Sequence, residues 1–325
     1  MVTESISNNN SSQEGTVMGI DEITNSGKDY DTEFWNKAMR GKPADFEKLK
    51  GCRTATDMFT LPYDSNRKYM AELEKESIFR QFATGINVSS SNNTVLAYAS
   101  DDVAACVPEG ESINVSDLAD DFTRIKTEAH KVVSLVKVAN AFVTDNAFDI
   151  KKHLPKRFAK VFGRAEENLF INGTGEGQPV GILNDTLGAE TGVTTTDVTF
   201  DDVINLYMSV KAKHRKHGVW LMNDETALAL RKLKDKDGNY LWQEDMDTIF
   251  GKPVYISEFM PSIATGKKVI AFGDFSYYWI LNRRPLAVRA LKEKFELYDQ
   301  TGYLAMEYID GKLVNREAIK VMQIS

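Results

Sequence analysis

The sequence predicts an α+β fold in which a long amphipathic helix joins a hairpin region to a mixed C-terminal part. Apolar residues recur every three or four positions over 148–172, as in a helix packed on a core. Strand-like runs flank an acidic stretch within 94–144. From residue 199 onward, helix and strand patterns alternate and end in a β-rich tail over 286–325. Together these patterns indicate a fold that combines helices with sheets.

Composition excludes several classes of protein. The 325 residues are 42% hydrophobic and 27% charged, which is enough apolar material for one large or two medium cores. A net charge of -7 argues against a general nucleic-acid binder, and no apolar run approaches the ~18 residues of a membrane span. The polar N-terminus does not resemble a secretory signal. Two distant cysteines, Cys52 and Cys106, predict no disulfide framework and fit synthesis in a reducing cytoplasm.

The N-terminal part combines a polar segment with short helices. Residues 1–30 are rich in Ser, Asn, Thr and Gly, which predicts either a flexible arm or a simple frayed terminus. A short helix is expected within 30–50. A second amphipathic helix is expected to start near Asp64 or Ser65 as its cap and to continue to Phe82.

The region from 94 to 144 predicts an extended hairpin with an acidic tip. Two strand-like legs flank DDVAACVPEGESINVSDLADD at 101–121, which has seven carboxylates and neither lysine nor arginine. A hairpin projecting from one subunit is poorly stable alone, so we expect it to lie on another molecule. An acidic, solvated loop on an ordinary sheet is the alternative. The acidic residues singled out in this loop are Asp101, Asp102, Glu109 and Glu111.

The helix predicted over 148–172 has an apolar face and an opposite cationic face. Asp145 or Asp149 is expected to cap its start, and Gly173 to end it in a left-handed cap. Pro155 either lies in the first turn or kinks the helix. The cationic face can meet DNA phosphates without sequence specificity, or balance the acidic hairpin of another subunit. Its residues are Lys152, Lys156, Arg157, Lys160 and Arg164.

A glycine-rich turn follows this helix and predicts a joint between two domains. A phosphate-binding loop precedes a helix, whose N-terminus attracts the anion, whereas these glycines follow the negative C-terminal end. The segment also lacks the Gly-Lys-Ser/Thr ending of a P-loop. The residues assigned to the hinge turn are Gly173, Gly175, Gly177, Pro179 and Gly181.

No group of residues meets the minimum for catalysis or metal binding. His214 and His217 have a possible ligand spacing, but their cationic neighbours favour a solvated basic face. Glu166 and Glu167 are adjacent and point to different faces of a helix. They suit ion pairs with Arg164 or a neighbouring chain better than paired acid–base chemistry. We therefore assign no catalytic, cofactor or metal residue.

The C-terminal half is predicted to alternate helices and strands. Helices are expected over 199–218 and 224–235, followed by a turn at Asp237-Gly238. A turn at Asp310-Gly311 is expected to separate the last strands. The predicted strands are 219–223, 268–275, 277–283 and, within the tail, LAVRAL, GYLAMEYI and AIKVMQI.

Several sequence blocks, in this order, resemble the Hong Kong 97-type major capsid proteins of tailed bacteriophages. FWNKAMRG and LEKESIFRQFATGINVSSS resemble the family's N-terminal arm and the approach to its extended loop. RAEENLFINGTGEGQPVGIL resembles the end of the spine helix and the domain junction. WLMNDETALALRKLKDKDGNYLWQ resembles part of the axial domain, and GKPVYISEFMP with IAFGDFSYYWILNRRPLAV resembles the core strands that follow. The similarity covers roughly residues 33–325.

The resemblance implies a capsid fold with an N-terminal arm, an extended hairpin loop, a peripheral domain that contains the spine helix, and an axial α/β domain. In such shells the loop of one subunit lies across its neighbour, which implies an inter-subunit role for the loop residues Asp101, Asp102, Glu109 and Glu111. The implied boundaries are 1–65 for the arm, 66–93 and 141–177 for the peripheral domain, 94–140 for the extended loop, 178–267 for the axial domain and 268–325 for strands that complete both domains.

The resemblance also implies a structural protein and not an enzyme. It implies a major capsid protein that assembles as pentamers and hexamers into an icosahedral shell around double-stranded DNA. The virion would form in the bacterial host cytoplasm, with a portal and a separate scaffolding or decoration protein as partners. Contact with the packaged DNA would be non-specific, with no cofactor and no membrane. An encapsulin-type compartment and a cytosolic α/β enzyme are the alternatives.

The sequence departs from the family pattern in three places. The segment before the arm is too short and polar for the helical scaffolding segment of some relatives. Only Leu61-Pro62 matches a Gly-Gly-aromatic-x-Val-Pro stretch. Relatives that crosslink use a lysine near the loop tip, but the nearest here is Lys126, and Asn315 lacks an evident partner. We therefore expect no covalent chainmail, and a ladder of multimers on a denaturing gel of assembled particles would contradict this.

Overall fold

The chain forms two main sheets connected by one long helix, in a computed structural model that describes residues 27–40, 42, 44, 49, 58–88, 94–98, 122–144, 149–242 and 247–325. The helices of this part are α1 (Lys28–Glu33), α2 (Tyr63–Glu76), α3 (Ile78–Phe82), α4 (Asn140–Thr144), α5 (Ile150–Asn172), α6 (Phe200–Ser209), α7 (Ala212–Arg215) and α8 (Asp224–Arg231). A π-helical turn over Phe34–Ala38 extends α1, and 3-10 turns lie at Phe275–Tyr277, Glu293–Tyr298 and Arg316–Ala318. Among these helices, none is both long and apolar enough to cross a membrane.

The strands of the described part form three sheets. They are β1 (Phe59–Thr60), β2 (Thr84–Asn87), β3 (Thr94–Tyr98), β4 (Phe122–Lys126), β5 (His130–Ala139), β6 (Glu190–Thr195), β7 (Val219–Met222), β8 (Thr248–Ile249), β9 (Lys252–Ile256), β10 (Lys268–Gly273), β11 (Tyr278–Leu291), β12 (Gln300–Leu313) and β13 (Ile319–Ile324). A five-stranded sheet has the order β1-β11-β12-β5, with β2 beside β11. A six-stranded sheet has the order β6-β13-β10-β7-β9-β8, and β3 pairs with β4.

Helix α5 packs its apolar face against α2 and the five-stranded sheet. Phe158 and Phe162 are fully buried in a core shared with Val288 and Tyr303 of that sheet. The Asp149 carboxylate caps the helix by accepting a hydrogen bond from the Lys152 N–H at 3.2 Å. The helix starts at Ile150, whereas the sequence pattern predicts residue 148, and residues 145–148 lie outside the described part.

Pro155 lies inside α5, beyond the first turn that was one of its two expected positions. The helix continues through Pro155 to Asn172 even though proline has no N–H to donate. Pro155 is buried, so its ring contributes to the core contact of the helix. Burial of the apolar face therefore outweighs the lost hydrogen bond in this helix.

The N-terminal helices differ from their predicted bounds. Helix α1 with its π-helical turn covers the first, and an extended Ser77 divides the second into α2 and α3. Asp64 and Ser65, the expected caps, lie inside α2, which follows Pro62. The Ser65 hydroxyl is buried, where it accepts a hydrogen bond from the Trp35 indole N–H at 3.2 Å. Ser65 therefore takes part in a tertiary contact inside the helix, although serine more often caps a helix.

The turn predicted at Asp310-Gly311 is wrong, because β12 runs through both residues. The Asp310 carboxylate accepts hydrogen bonds from the backbone N–H groups of Gly311 and Glu128, each at 2.9 Å. A Cβ on Gly311 would lie 2.3 Å from the Tyr278 hydroxyl oxygen. Both residues therefore allow close packing within a strand. The turn was predicted because Asp-Gly is a residue pair that is common in turns.

The six-stranded sheet holds its own core against α6 and α8. Trp220 and Phe272 stand on adjacent strands with ring centroids 4.2 Å apart, next to Val203 and Leu206 of α6. A capping box starts α6, since Thr199 and Asp202 exchange side-chain and backbone hydrogen bonds. A third core, with Phe170, lies where the end of α5 meets both sheets.

Candidate functional site: domain junction and exposed faces

The glycine-rich turn after α5 is fastened to the end of the helix by backbone hydrogen bonds. The last carbonyls of a helix lack partners within the helix. Here the returning chain supplies them, since the Ile182 N–H donates to the Phe170 carbonyl at 2.8 Å and the Leu183 N–H donates to the Ile171 carbonyl at 3.0 Å. The Val180 N–H also donates to the Gly311 carbonyl in β12, at 2.9 Å. The turn is therefore bonded both to the helix and to the five-stranded sheet.

The predicted left-handed cap at Gly173 is wrong. Gly173 has φ -58 and ψ 135, which any residue can adopt. Glycine is required there because a Cβ would lie 2.1 Å from the Pro179 carbonyl oxygen and 2.4 Å from the Leu169 carbonyl oxygen. The positive φ values occur further on, at Gly175 (82°) and Gly177 (67°). The turn thus uses its glycines for two purposes, close backbone contact first and left-handed turning second.

A buried ionic cluster joins α5 to α3 and to the five-stranded sheet. The Arg80 guanidinium donates two hydrogen bonds to the Glu166 carboxylate, one of them from Nε at 2.8 Å. It donates a third to the Asn282 side chain of β11 at 2.9 Å. The Arg80 and Glu166 side chains are 5% and 0% exposed. Removing one partner of an ion pair that is this deeply buried and fully hydrogen-bonded strongly destabilises a folded protein, because the other charge is left buried without compensation.

Glu307 extends the ionic cluster from β12. Its carboxylate accepts a hydrogen bond from the buried Tyr69 hydroxyl of α2 at 2.9 Å. Burial raises the pKa of Glu307 well above the ordinary glutamate value, and the neighbouring Glu166 charge raises it further. The environment of Glu307 therefore favours its neutral, protonated form.

Replacing Glu307 by glutamine is expected to remove a pH-dependent loss of stability. Because the folded pKa is raised, Glu307 contributes stability that is fully present below its unfolded pKa and is lost as pH rises through the folded value. The loss is at most about 1.4 kcal/mol per pH unit. Urea unfolding of the unassembled subunit from about pH 5 to about pH 8 measures it. As pH rises, the free energy of unfolding of the wild type is expected to fall relative to that of Glu307→Gln.

The exposed Glu74 provides the matched control for this measurement. Glu74→Gln also replaces a carboxylate by an amide, but at a solvent-exposed position. A Glu307→Gln difference that changes with pH no more than the Glu74→Gln difference would contradict the assignment of a raised pKa.

The expected pairing of Glu166 or Glu167 with Arg164 is wrong. Arg164 binds Glu258 at 2.6 Å on the surface. The Glu167 carboxylate accepts hydrogen bonds from the Ser257 hydroxyl and from the Ile78 N–H. Burial raises the pKa of Glu167 in spite of those hydrogen bonds. Both glutamates face inward, because Glu166 binds Arg80 of α3 and Glu167 binds the Ile78 N–H of α3 and the Ser257 hydroxyl.

The cationic face predicted on α5 is exposed to solvent. Lys152, Lys156, Arg157 and Lys160 make no ion pair with any residue that the structure describes. Arg164 belongs to the same face and is paired with Glu258. A row of uncompensated cations on one rigid helix is suited to binding an acidic surface or a phosphate backbone.

Strands β3 and β4 form a hairpin that is a separate two-stranded sheet. Thr94 lies opposite Lys126, and Tyr98 lies opposite Phe122. The acidic residues Asp101, Asp102, Glu109 and Glu111 lie outside the described residues. The return leg continues into β5, which pairs with β12. The root of the hairpin is held by Asp310, which lies 3.5 Å from the His130 imidazole and from the Lys312 ammonium.

The solvated basic face expected around His214 and His217 is wrong for His214. Its side chain is buried and its ring meets the Tyr277 ring edge-on at a centroid distance of 4.8 Å. His217 is exposed. Within the ranges that the structure covers, no group of three or more histidine, cysteine and carboxylate side chains could hold a metal ion.

Arg80 and Glu307 were not predicted as site residues, although the sequence around each of them contains a recognisable pattern. Arg80 interrupts the apolar run IFRQF, and Glu307 interrupts GYLAMEYI. A charged residue inside an apolar run faces a core and requires a buried partner. The sequence alone does not identify that partner, because Arg80 lies 86 positions from Glu166 and Tyr69 lies 238 positions from Glu307.

Comparison with known proteins gives consistent results. The model of the phage capsid family matches residues 58–324. The chain is 24% identical over 248 residues to the probable major capsid protein gp17 of Mycobacterium phage L5, covering 70% of this chain and 74% of that protein. Its structure resembles the capsid of a native GTA particle, with a TM-score of 0.61 and 31% identity over 76% of this chain and 89% of that one. A Gordonia phage Cozz chain has a TM-score of 0.54 and 13% identity, covering 77% and 87%.

The fold and its exposed faces define a structural, shell-forming protein with the Hong Kong 97-type capsid fold. The chain belongs to the phage capsid family. It is a major capsid protein of a tailed phage or phage-like particle and a component of the virion, and it is not an enzyme. The predicted family, α+β class and function are confirmed.

Proposed function

We propose that copies of this chain associate into pentamers and hexamers that close into an icosahedral shell around double-stranded DNA. One observation carries the proposal. In the described part of the chain, β3 and β4 pair only with each other. A two-stranded ribbon of this kind is marginally stable alone, and its free edges attract another chain. A neighbouring subunit under the hairpin would provide the missing contact, as heterologous ring assembly requires.

The proposal assigns a role to each segment. Residues 1–65 would form the arm, 66–93 with 141–177 the peripheral domain, and 94–140 the extended loop. Residues 178–267 would form most of the axial domain, and 268–325 the strands that complete both the peripheral and the axial domain. The hinge turn would set the angle between the two domains. Its fastening to α5 and β12 favours a fixed angle over a loose linker. A portal, a scaffolding or decoration protein and assembly in the host cytoplasm belong to the same proposal.

The cationic face of α5 would meet an acidic surface of a neighbouring copy or the packaged DNA. Four of its cations lack an ion-pair partner among the described residues. Contact with DNA would weaken steeply with salt, because each phosphate contact releases a counterion. Binding of double-stranded DNA to the unassembled subunit, measured over a salt series, separates the two roles. Salt-independent or absent binding would assign the face to contacts between subunits.

Electron microscopy of the full chain expressed alone tests the proposed function. Closed shells, or rings of five and six subunits, are the expected result. A protein that stays monomeric at every concentration would contradict it. Particles filled with protein and free of DNA, when purified from infected or induced cells, would favour a protein-storing compartment instead.

Reversing charge at the loop tip is expected to impair assembly and leave the subunit folded. The variant combines Asp101→Lys and Asp102→Lys, which would place cations against basic groups of the neighbouring subunit that the loop crosses. The matched control combines Glu74→Lys and Asp237→Lys, which make the same charge change at exposed positions elsewhere. Sedimentation is expected to show soluble subunit with few shells for the first variant and normal shells for the control. Normal shells from both would contradict a role for the acidic tip.

A further inference from the structure

A mostly apolar groove with cationic walls lies between β5, α4 and α5. Its volume is about 590 Å³. Its apolar lining includes Phe142, Ile150 and Leu154, and its cationic lining includes Lys156, Arg157 and Lys160. Lys137 and Glu76 complete the rim, so cations outnumber acids there. Such a groove fits apolar side chains carried by an acidic segment.

The 3-10 turn between β11 and β12, which we call the knob (residues 293–299), has the complementary character. Leu297 is 97% exposed and Tyr298 is 72% exposed, the highest values for large hydrophobic residues in the described part of the chain. Glu293, Glu296 and Asp299 flank them in solvent, with Lys294 as the one cation of the knob. Neighbouring leucine and tyrosine side chains that are exposed to solvent and surrounded by carboxylates are typical of residues that anchor a protein–protein interface.

The knob is held in a fixed conformation. Phe295 is buried beneath it, with the Lys137 ammonium 5.0 Å from its ring centroid. Asp299 adopts a left-handed conformation with φ 49. Its carboxylate accepts a hydrogen bond from the Asn140 side-chain amide, and its carbonyl accepts one from the Asn140 N–H, both at 2.9 Å. A preorganised anchor loses little conformational entropy when it binds.

We propose that the knob of one copy inserts Leu297 and Tyr298 into the groove of the next copy. This inference rests on the proposed shell function and names one of its subunit contacts. Glu296 and Glu293 would then face Lys156 and Arg157 of the neighbour. The Asn140–Asp299 hydrogen bonds place the knob and the groove at the same end of the sheet. Two different, adjacent patches that bind each other make a heterologous contact, which closes into a ring when the rotation permits.

A photo-crosslinking amino acid at position 297 tests the contact directly. Shells assembled from a mixture of isotopically labelled and unlabelled subunits are irradiated and analysed by mass spectrometry. Crosslinks between labelled and unlabelled copies are expected at residues 138–142 and 150–160. The same probe at Leu187, which is 57% exposed, is the control and is expected to miss the groove. Crosslinks from position 297 to other surfaces, or to none, would overturn the proposal, as would crosslinks from the groove to residues 101–121.

A charge swap provides an independent test. Glu296→Lys and Arg157→Glu, made singly, are each expected to lower the assembled fraction about tenfold, because each places like charges in contact. The double variant is expected to recover to within about threefold of the wild type. Two single losses without recovery, or no loss, would count against the pairing.

Different results would refute the proposed shell function and the knob contact. A wild-type chain that forms neither rings nor shells refutes the proposed function. Wild-type shells together with normal shells from Leu297→Asp refute only the knob contact. Circular dichroism of the unassembled Leu297→Asp subunit is expected to match the wild type, since residue 297 packs against almost nothing in its own chain.

Discussion

Replacing Arg80 by alanine is expected to destabilise the folded subunit by about 3–5 kcal/mol, because it leaves the Glu166 carboxylate buried without its partner. Glu166 is 0% exposed in the wild type, so its carboxylate has no direct contact with solvent that could offset the loss of the guanidinium. Glu307 lies nearby in the ionic cluster and adds no compensating positive charge. The free energy of unfolding of the unassembled subunit, from urea titration at neutral pH, measures the effect.

Arg164→Ala is the matched control. It breaks another arginine–glutamate pair in which one partner lies on α5, with a similar distance between nitrogen and oxygen. Arg164 and Glu258 are 56% and 61% exposed and 2.6 Å apart. A pair so open to solvent contributes less than about 1 kcal/mol. The two variants therefore differ mainly in burial. Similar small losses from both would show that water reaches the Arg80 site in solution.

A double variant distinguishes the value of the pair from the cost of breaking it. Arg80→Met with Glu166→Met removes both charges and keeps side chains of similar length. Because hydrophobic replacement of a complete buried pair is often close to neutral, we expect the double variant to lie within about 2 kcal/mol of the wild type. A loss as large as that of Arg80→Ala would mean that the hydrogen bond to Asn282, and not the charge balance, dominates.

Local patterns were sufficient to predict α5 and the starts of α6 and α8. The apolar period of α5 and its Asp149 cap, and the Thr199 capping box of α6, depend on residues within one or two turns of each other. For the same reason, the cationic face of α5 could be assigned correctly to the surface. Periodicity gives the two faces of a helix even when it does not reveal what either face meets.

Residue type alone failed where long-range packing determines the conformation. Asp310-Gly311 has the composition of a turn, yet Asp310 bonds to Glu128, a residue 182 positions away, and Gly311 makes room for the Tyr278 hydroxyl. His214 sits among lysines in sequence but against Tyr277 in space. Such contacts appear only after the strands have paired, so no local pattern encodes them.

The ionic cluster and the hinge turn act on the same end of α5. Arg80 and Glu307 connect Glu166 to α3 and to β12, shortly before the helix ends. The hinge turn then bonds the final carbonyls and reaches Gly311 of the same strand. The junction is therefore fixed by charge and by backbone contacts within a few residues. A shell subunit needs a reproducible angle between its domains, because small errors would accumulate around a ring.

Gly173→Ala is expected to destabilise the subunit by at least about 3 kcal/mol, as overpacking against backbone atoms does when neither side can yield. The new Cβ would lie 2.1 Å from the Pro179 carbonyl oxygen and 2.4 Å from the Leu169 carbonyl oxygen. The Leu169 carbonyl is held by its hydrogen bond from the Gly173 N–H at 2.8 Å, so it cannot move without unwinding the end of α5. Urea unfolding and the yield of assembled shells are the two measurements.

Gly177→Ala separates close contact from backbone strain. Gly177 has φ 67, and a Cβ added there would have no atom within 4 Å, so only the left-handed conformation is penalised, by about 1–2 kcal/mol. If the junction sets the domain angle through backbone contact, Gly177→Ala is expected to retain near-normal shells, whereas Gly173→Ala loses them. Equal losses from the two variants would mean that left-handed turning, and not the packing of the chain against α5, maintains the joint.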